Sequence, residues 1–148
     1  MTEDQKRAKE ELIAGGYTCV ICRRDEIYCD TQRGVKPLLD IIDSGARLSG
    51  FSAADKVIGK ATALLYVMLG VSSVYTPVIS EMARDVLLKN GIEVFYDKEV
   101  ARIKNRTGDG FCPMETAVMG INKPHLAYEA IKKKLAELEK MKSKKGEQ

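Results

Sequence analysis

The chain has 148 residues, of which 45% are hydrophobic and 30% are charged, a composition typical of one globular domain. A domain of this size buries roughly 68–70% of its unfolded surface, so it needs neither disulfides nor a structural metal to form a core. No apolar stretch approaches the ~18 residues of a membrane span, and the charged N-terminus is unlike a secretory signal. These features predict a cytoplasmic protein without a membrane partner.

The net charge of +3 is concentrated at the C-terminus. Residues 132–148 contain seven Lys and three Glu, a net charge of +4, which leaves −1 for the rest of the chain. We therefore expect a single domain over residues 1–131 and a basic helix end and tail over residues 132–148. Nucleic-acid-binding domains interleave a basic face with aromatic residues. This chain has no Trp and no such pattern, so no nucleic-acid partner is expected.

Helices and strands alternate in the first half of the chain. A capping box formed by Thr2 and Gln5 predicts the start of the first helix, and Gly15 predicts its end. Gly70 likewise predicts the end of an apolar helix that Gly59 and Lys60 open. The predicted elements are a helix over 2–14, strands over 17–22 and 26–30, and helices over 37–43 and 61–69.

The second half continues the alternation. Thr76 and Pro77 predict a helix start, because Thr is favoured as an N-cap and Pro as the first helical residue. The predicted elements are strands over 71–76, 92–96 and 100–104, a helix from Pro77 to about Lys89, and a last helix capped by Asn122. Strands alternating with helices predict an α/β fold, in which a layered mixed sheet of about five strands is flanked by helices.

The four cysteines do not predict a metal site or a disulfide. Cys19 and Cys22 have the spacing of half a zinc knuckle, but residues three apart on a strand point to opposite faces. Buried, reduced cysteines are therefore expected, as a cytoplasmic setting also favours.

Two segments resemble the cytidine-deaminase-like fold. The segment Gly-Lys-Ala-Thr-Ala-Leu-Leu-Tyr at 59–66 is similar to the helix that opens with His-Ala-Glu in that family. Residues 74–96 are similar to its strand, Pro-Cys-x-x-Cys helix and following strand. The whole chain resembles the uncharacterised DUF1893 family through Gly-Lys-Ala-Thr-Ala, Tyr-Thr-Pro and Cys-Pro-Met-Glu at 112–115. This resemblance implies a deaminase-like fold and brings no established substrate.

The zinc-binding residues of deaminases are missing at the matching positions. Those enzymes hold zinc with one His or Cys and two Cys, and a Glu acts as general acid and base. Lys60 stands in place of the His, Thr62 in place of the Glu, and Val78 and Glu81 in place of the two Cys. One carboxylate cannot hold a catalytic zinc, which normally takes three protein ligands. We therefore expect no metal, no cofactor and no zinc-dependent deamination.

The resemblance implies that the helices beginning near Gly59 and Pro77 point their N-termini into one pocket. Helix N-termini favour anions, and Lys60 adds a positive charge. The leading hypothesis is therefore a pocket for a phosphate- or carboxylate-bearing, nucleotide-like small molecule, with Lys60, Thr62 and Thr76 as contacts. Glu81 and Glu115 complete the set of predicted ligand-binding residues. The alternative is that Lys60 pairs with Glu81 and the pocket is packed.

Cys112 is the second candidate site. With Cys112 as N-cap and Pro113 as first helical residue, the thiol lies at a helix N-terminus, an environment that raises the reactivity of cysteine. The loop at 107–110 is expected to make it accessible, with Glu115 as the partner of the helix dipole. A catalytic cysteine is one interpretation, and a small capping or buried residue is the other. A pairing with His125 is not required by the spacing, and a surface histidine is the simpler expectation.

The C-terminal helix offers a third interpretation of function. Its apolar residues follow helical spacing at Ala127, Ile131, Leu135, Leu138 and Met141. This stripe packs either on the sheet or on a partner chain. Packing on a second copy would make the protein a structural or oligomeric interaction module rather than a ligand-binding one.

Overall fold

The computed structural model describes residues 1–105, 108 and 110–146, and the backbone alone for residues 143–146. The described residues form six helices and six strands. In chain order these are α1 (Glu3–Ala14), β1 (Cys19–Arg23), β2 (Glu26–Asp30), α2 (Lys36–Asp43), β3 (Ser52–Asp55), β4 (Val57–Ile58), α3 (Lys60–Leu69), β5 (Ser73–Ser80), α4 (Glu81–Lys89), β6 (Glu93–Val100), α5 (Pro113–Ala117) and α6 (Pro124–Gly146).

The strands form one mixed sheet in the order β2-β1-β3-β5-β6, with β4 beside the second half of β5. Strand β1 runs antiparallel to β2 and β3, whereas β3, β4 and β6 run parallel to β5. Lys56 alone separates β3 from β4, and the two pair with successive parts of β5. The predicted α/β fold with a mixed sheet flanked by helices is confirmed, with six strands rather than about five.

Two separate cores hold the layers together. The larger core lies between the sheet and helices α2, α3, α4 and α6, and the smaller core lies under α1. Each fully buried Leu or Ile side chain contributes roughly 1.5–3 kcal/mol to such a core. Cys19 belongs to the larger core and Cys22 to the smaller one, so the expectation that they face opposite ways is confirmed. All four cysteines are free.

Helix α1 is anchored by a buried glutamine. The hydroxyl oxygen of Thr2 accepts the backbone N–H of Gln5 at 3.1 Å, as the predicted cap requires. The side chain of Gln5 does not complete the capping box, because it is fully buried and its Nε2 donates to the carbonyl of Ala53 at 2.9 Å. Its Oε1 accepts the hydroxyl of Ser73. Gln5 thereby fixes α1 on the centre of the sheet.

The predicted helix start at Thr76 is wrong, because β5 continues through Pro77 to Ser80. The hydroxyl of Thr76 accepts the backbone N–H of Val78 at 3.3 Å and donates to its carbonyl at 2.9 Å. Pro77 has no N–H, and the register leaves it unpaired between Thr76 and Val78. Helix α4 begins only after Ser80, whose hydroxyl oxygen accepts the backbone N–H of Ala83 at 3.2 Å.

Further boundaries differ from prediction near the C-terminus. Strand β6 is longer than expected and extends to Val100. The separate strand predicted at 100–104 is wrong, because residues 101–103 lie outside the sheet and Lys104 pairs with Phe111 in an isolated bridge. Residues 106, 107 and 109, of which the last two belong to the predicted loop at 107–110, lie outside the described residues. The last helix begins at Pro124, two residues after the predicted cap. Each helix in the described part of the chain is too short or too polar to cross a lipid bilayer.

Candidate functional site

A cavity of about 130 Å³ lies where β4, β5 and β6 end. In open α/β sheets, ligands bind outside the carboxyl ends of the strands. Here β4 leads through Gly59 into α3, and β5 leads into α4. The polar part of the cavity wall includes Lys60, Ser80, Arg102 and Glu115. The apolar part includes Met82, Ile103, Phe111 and Met119. We call this space the strand-end cavity.

Glu115 occupies the N-terminus of α3. Its carboxylate accepts the backbone N–H groups of Lys60 and Ala61. Burial raises the pKa of Glu115, and these two hydrogen bonds and the charge of Lys60 act in the opposite direction. A Cβ atom at residue 59 would lie 1.5 Å from Oε1 of Glu115, so any larger residue there would have to displace this carboxylate. The helix end predicted to receive a ligand anion therefore already holds one from the protein itself.

Lys60 is buried, with 3% of its surface exposed. Its Nζ donates to the carbonyl of Val118 at 3.1 Å. Glu81 is exposed at the start of α4, and no ion pair among the described residues joins it to Lys60. The predicted alternative of a Lys60–Glu81 pair is therefore wrong, because Lys60 turns towards α5 and its C-terminal end.

The remaining predicted contacts lie elsewhere. Thr62 is half-buried in the first turn of α3, and Thr76 is fully buried with its hydroxyl bonded within β5. Neither lines the strand-end cavity, and neither does Glu81. Of the five predicted ligand-binding residues, the fold brings Lys60 and Glu115 together at the cavity.

Cys112 is the N-cap of α5 and Pro113 is the first helical residue, as predicted. The residue is half-buried, packs against the larger core, and donates its backbone N–H to the carbonyl of Ile103 at 3.2 Å. It does not line the strand-end cavity, and α5 has only five residues. The reactivity of its thiol stays a prediction. His125 is exposed in the first turn of α6, as expected for a surface histidine.

Sequence reasoning missed two contributions to the cavity. Arg102 lies with its guanidinium 4.8 Å from the centre of the Phe111 ring, a cation–π contact between residues that are not neighbours in the sequence. No local pattern could have indicated this pairing. Met82 and Met119 are 48% and 65% exposed, and this exposure follows from the tertiary fold, so the sequence did not distinguish them from core methionines.

A buried chain of polar groups was also missed. The hydroxyl of Tyr66 donates to Oδ2 of Asp55 at 2.7 Å, and its oxygen lies 3.4 Å from Sγ of Cys19. Burial raises the pKa of Asp55 to about 7, although hydrogen bonds from Tyr66 and from the backbone of Lys56 and Val57 act to lower it. Burial also raises the pKa of Tyr66 and Cys19. None of the three side chains lines the strand-end cavity.

The described residues contain no group of three or more His, Cys, Asp or Glu side chains arranged to hold a metal ion.

The apolar stripe predicted on the last helix packs within the chain over most of its length. Ala127 and Ile131 are fully buried, Leu135 and Leu138 pack against the larger core, and Met141 is 57% exposed.

Comparison with known proteins defines the family but no activity. A crystal structure of a DUF1893 family protein from Thermotoga maritima has a TM-score of 0.79 and 21% sequence identity, covering 93% of this chain and 92% of that chain. At this identity the likeness shows the fold alone, and no curated protein matches. The cytidine-deaminase likeness stays a prediction. A family model described as a domain of unknown function (DUF1893) matches residues 7–135, most of the chain, and the protein therefore belongs to the DUF1893 family.

Proposed function

We propose that the protein binds a small anionic molecule with an apolar body in the strand-end cavity. The observation that carries the proposal is the cavity's combination of apolar walls with Arg102, an exposed guanidinium that makes no ion pair in the described part of the chain. Ligand sites are mostly apolar, with a few polar groups that orient the ligand. Guanidinium groups bind carboxylates and phosphates in two-point contacts.

The size of the cavity limits the ligand. An apolar cavity of about 150 Å³ holds one benzene-sized molecule, and the strand-end cavity measures about 130 Å³. A whole nucleotide would therefore extend into solvent, and a single ring or short chain is the part that the cavity can enclose. This favours a ring-sized carboxylate or phosphate ester over a complete nucleotide.

The position of Glu115 indicates which basic residue anchors the ligand anion. Because its carboxylate occupies the N–H groups at the start of α3, a second anion is repelled there. Arg102 at the rim is the better anchor for the ligand anion. Lys60 contributes from inside, since an ammonium group has three donors and Val118 accepts one.

The test compares benzoate and phenyl phosphate with neutral benzamide and with inorganic phosphate. For fragments of this size a Kd of about 1 mM is expected, equivalent to about −4 kcal/mol. We expect the two aromatic anions to raise Tm and to shift the backbone amide resonances of Lys60 and Arg102. Arg102→Gln should weaken their binding about tenfold, whereas the matched control Arg47→Gln should not.

Two outcomes would count against the proposal. If no probe shifts the amide resonances near the cavity, the proposal that the cavity binds a ligand is wrong. If benzamide binds as tightly as benzoate and phenyl phosphate, the proposal that the ligand is an anion is wrong. The alternative functions have less support, because Cys112 packs against the core and the stripe on α6 is largely covered within the chain.

A further inference from the structure

A second surface lies next to the strand-end cavity, at the ends of β4, β5 and β6. It is an open groove of about 580 Å³. Its floor includes Val57, Val78 and Val100, and Ile103 and Phe111 form one wall. Val57 is 41% exposed and Phe111 50% exposed. We call this surface the valine groove.

Among the described residues, three basic side chains and no acidic side chain line the valine groove. Lys98, Arg102 and Lys104 are exposed, and none of them forms an ion pair within the described part of the chain. Lys and Arg at other positions do pair with carboxylates, for example Lys132 with Asp43 at 3.0 Å. The groove therefore combines exposed apolar area with uncompensated positive charge.

We infer that the valine groove binds an extended segment of a partner protein that carries both acidic and apolar side chains. Val78 lies between Val57 and Lys98 in the sheet register, so apolar and cationic positions are neighbours across the strands. Residues 98–104 span at most about 20 Å, the length of about six extended residues. A partner segment of that length can place acidic side chains against several of the three cations at once.

Other occupants fit the groove less well. A fatty acid or another single-charged ligand would satisfy one of the three cations. Single-stranded nucleic acid gains affinity by stacking bases on aromatic rings, whereas the floor here is aliphatic and Phe111 is in contact with Arg102. The basic C-terminal residues of this chain have the same sign of charge as the groove. The charge complementarity and the valine floor together favour an acidic, apolar peptide.

The test uses fluorescein-labelled peptides of about eight residues, enough to cover the groove. One peptide alternates Glu with Leu, a second alternates Ser with Leu, and a third alternates Lys with Leu. Fluorescence anisotropy should show binding of the Glu-Leu peptide at least about tenfold tighter than of the other two, and weaker binding as salt is added.

Variants assign that binding to the groove. The double variant Lys98→Glu with Lys104→Glu should weaken binding of the Glu-Leu peptide at least about tenfold. Val57→Ser should weaken it a few-fold by removing apolar contact. The matched control, Lys123→Glu with Lys140→Glu, makes the same change of charge at residues that do not line the groove and should bind like the unaltered chain. Lys98, Lys104 and Val57 do not line the strand-end cavity, so these results are independent of the ligand proposed there.

Four results would overturn the inference. These are equal binding of the Ser-Leu and Glu-Leu peptides, equal loss in both charge-reversal variants, and tighter binding of an oligodeoxythymidylate than of the Glu-Leu peptide. The fourth is concentration-dependent self-association in sedimentation that Val57→Ser abolishes, because the occupant would then be a second copy of the chain.

Discussion

The carboxylate of Glu115 lies where any side chain at residue 59 would begin. The backbone angles of Gly59, φ −99° and ψ −178°, are accessible to alanine, so the restriction is steric and not conformational. We predict that Gly59→Ala displaces Glu115 from the start of α3 and lowers the free energy of unfolding by about 1–3 kcal/mol, as other overpacked sites do. Urea denaturation measures the change.

A double-mutant cycle separates this clash from other effects at residue 59. In a Glu115→Ala background the nearest remaining neighbour of the new Cβ atom is Cγ1 of Ile103 at 3.1 Å, which needs only a small adjustment. Gly59→Ala should therefore cost clearly less in that background. Equal costs in the two backgrounds would contradict the steric explanation.

Asp55 makes stability depend on pH in an unusual direction. Its pKa rises from 3.8 to about 7 on folding, so the folded state holds the proton more tightly than the unfolded state. This contribution to stability is fully present below about pH 4 and is lost as the pH rises to about 7, with an upper limit of about 4 kcal/mol. Asp55→Asn removes the titration, so its stability relative to the unaltered chain should increase over this range.

Urea denaturation at about pH 4 and about pH 7.5 tests this sign. Asp25→Asn, an exposed carboxylate in the turn between β1 and β2, is the matched control and should show no such trend. If the hydrogen bonds to Asp55 outweighed burial, the relative stability of Asp55→Asn would instead fall with rising pH.

At the level of elements, the start of α4 shows where local preference fails. Thr76-Pro77 is a favourable helix start in isolation, yet Thr76 is fully buried in the sheet and pairs with Tyr96. Pairing with strands distant in sequence outweighs a cap worth about 1 kcal/mol. The break between β3 and β4 lies beside Pro77, so a residue without an N–H is tolerated inside β5.

The observed cap gives a direct test of the boundary. Ser80→Ala removes the acceptor for the N–H of Ala83 and should lower the free energy of unfolding by about 1 kcal/mol. Ser80→Asp should retain most of the stability, because Asp is an equally favoured N-cap. No difference between the alanine and aspartate variants in thermal denaturation would contradict the role of Ser80.

The central strand β3 was absent from the sequence prediction for a physical reason, and β4 was missed because it has only two residues. Ala53 and Ala54 are fully buried, but alanine, serine and aspartate have low strand preference. Both faces of β3 are covered, so no alternation of polar and apolar residues remains. By contrast, α1 and α3 were predicted within one or two residues, because Thr2, Gly15 and Gly70 act locally at their ends.

At the scale of the whole molecule, alternation of helices and strands was sufficient to predict an α/β fold. It was not sufficient to predict which segments form the strands of the sheet. The prediction included a strand at 100–104 that does not form and omitted β3 and β4, so the similar strand count conceals different strands. Lys60 and Glu115 were each singled out from the sequence, but their meeting at one cavity was not predicted. Its rim could not be predicted, because Arg102 and Phe111 meet only through the tertiary fold.

The extent of the packed domain can be tested by truncation. We propose that it reaches Leu138, beyond the boundary at residue 131 suggested by charge, because Leu135 and Leu138 pack against the larger core. A chain ending at residue 131 should lose about 2 kcal/mol of unfolding free energy. A chain ending at residue 140 should stay within about 0.5 kcal/mol of the full chain. Equal stability of the two truncated chains, measured by urea denaturation, would support the earlier boundary.

Because Glu115 is part of the chain, its carboxylate competes with any dissolved anion for the N–H groups at the start of α3. A group held on the same chain acts at an effective concentration in the millimolar range or above, without a cost of bringing two molecules together. Dissolved phosphate well below that concentration would leave Glu115 in place. Only a molecule that is also held by the apolar wall and by Arg102 could reach a comparable local concentration. If the strand-end cavity binds its proposed ligand, we therefore expect the arrangement of Gly59 and Glu115 to discriminate between a free inorganic ion and an anion attached to an apolar group.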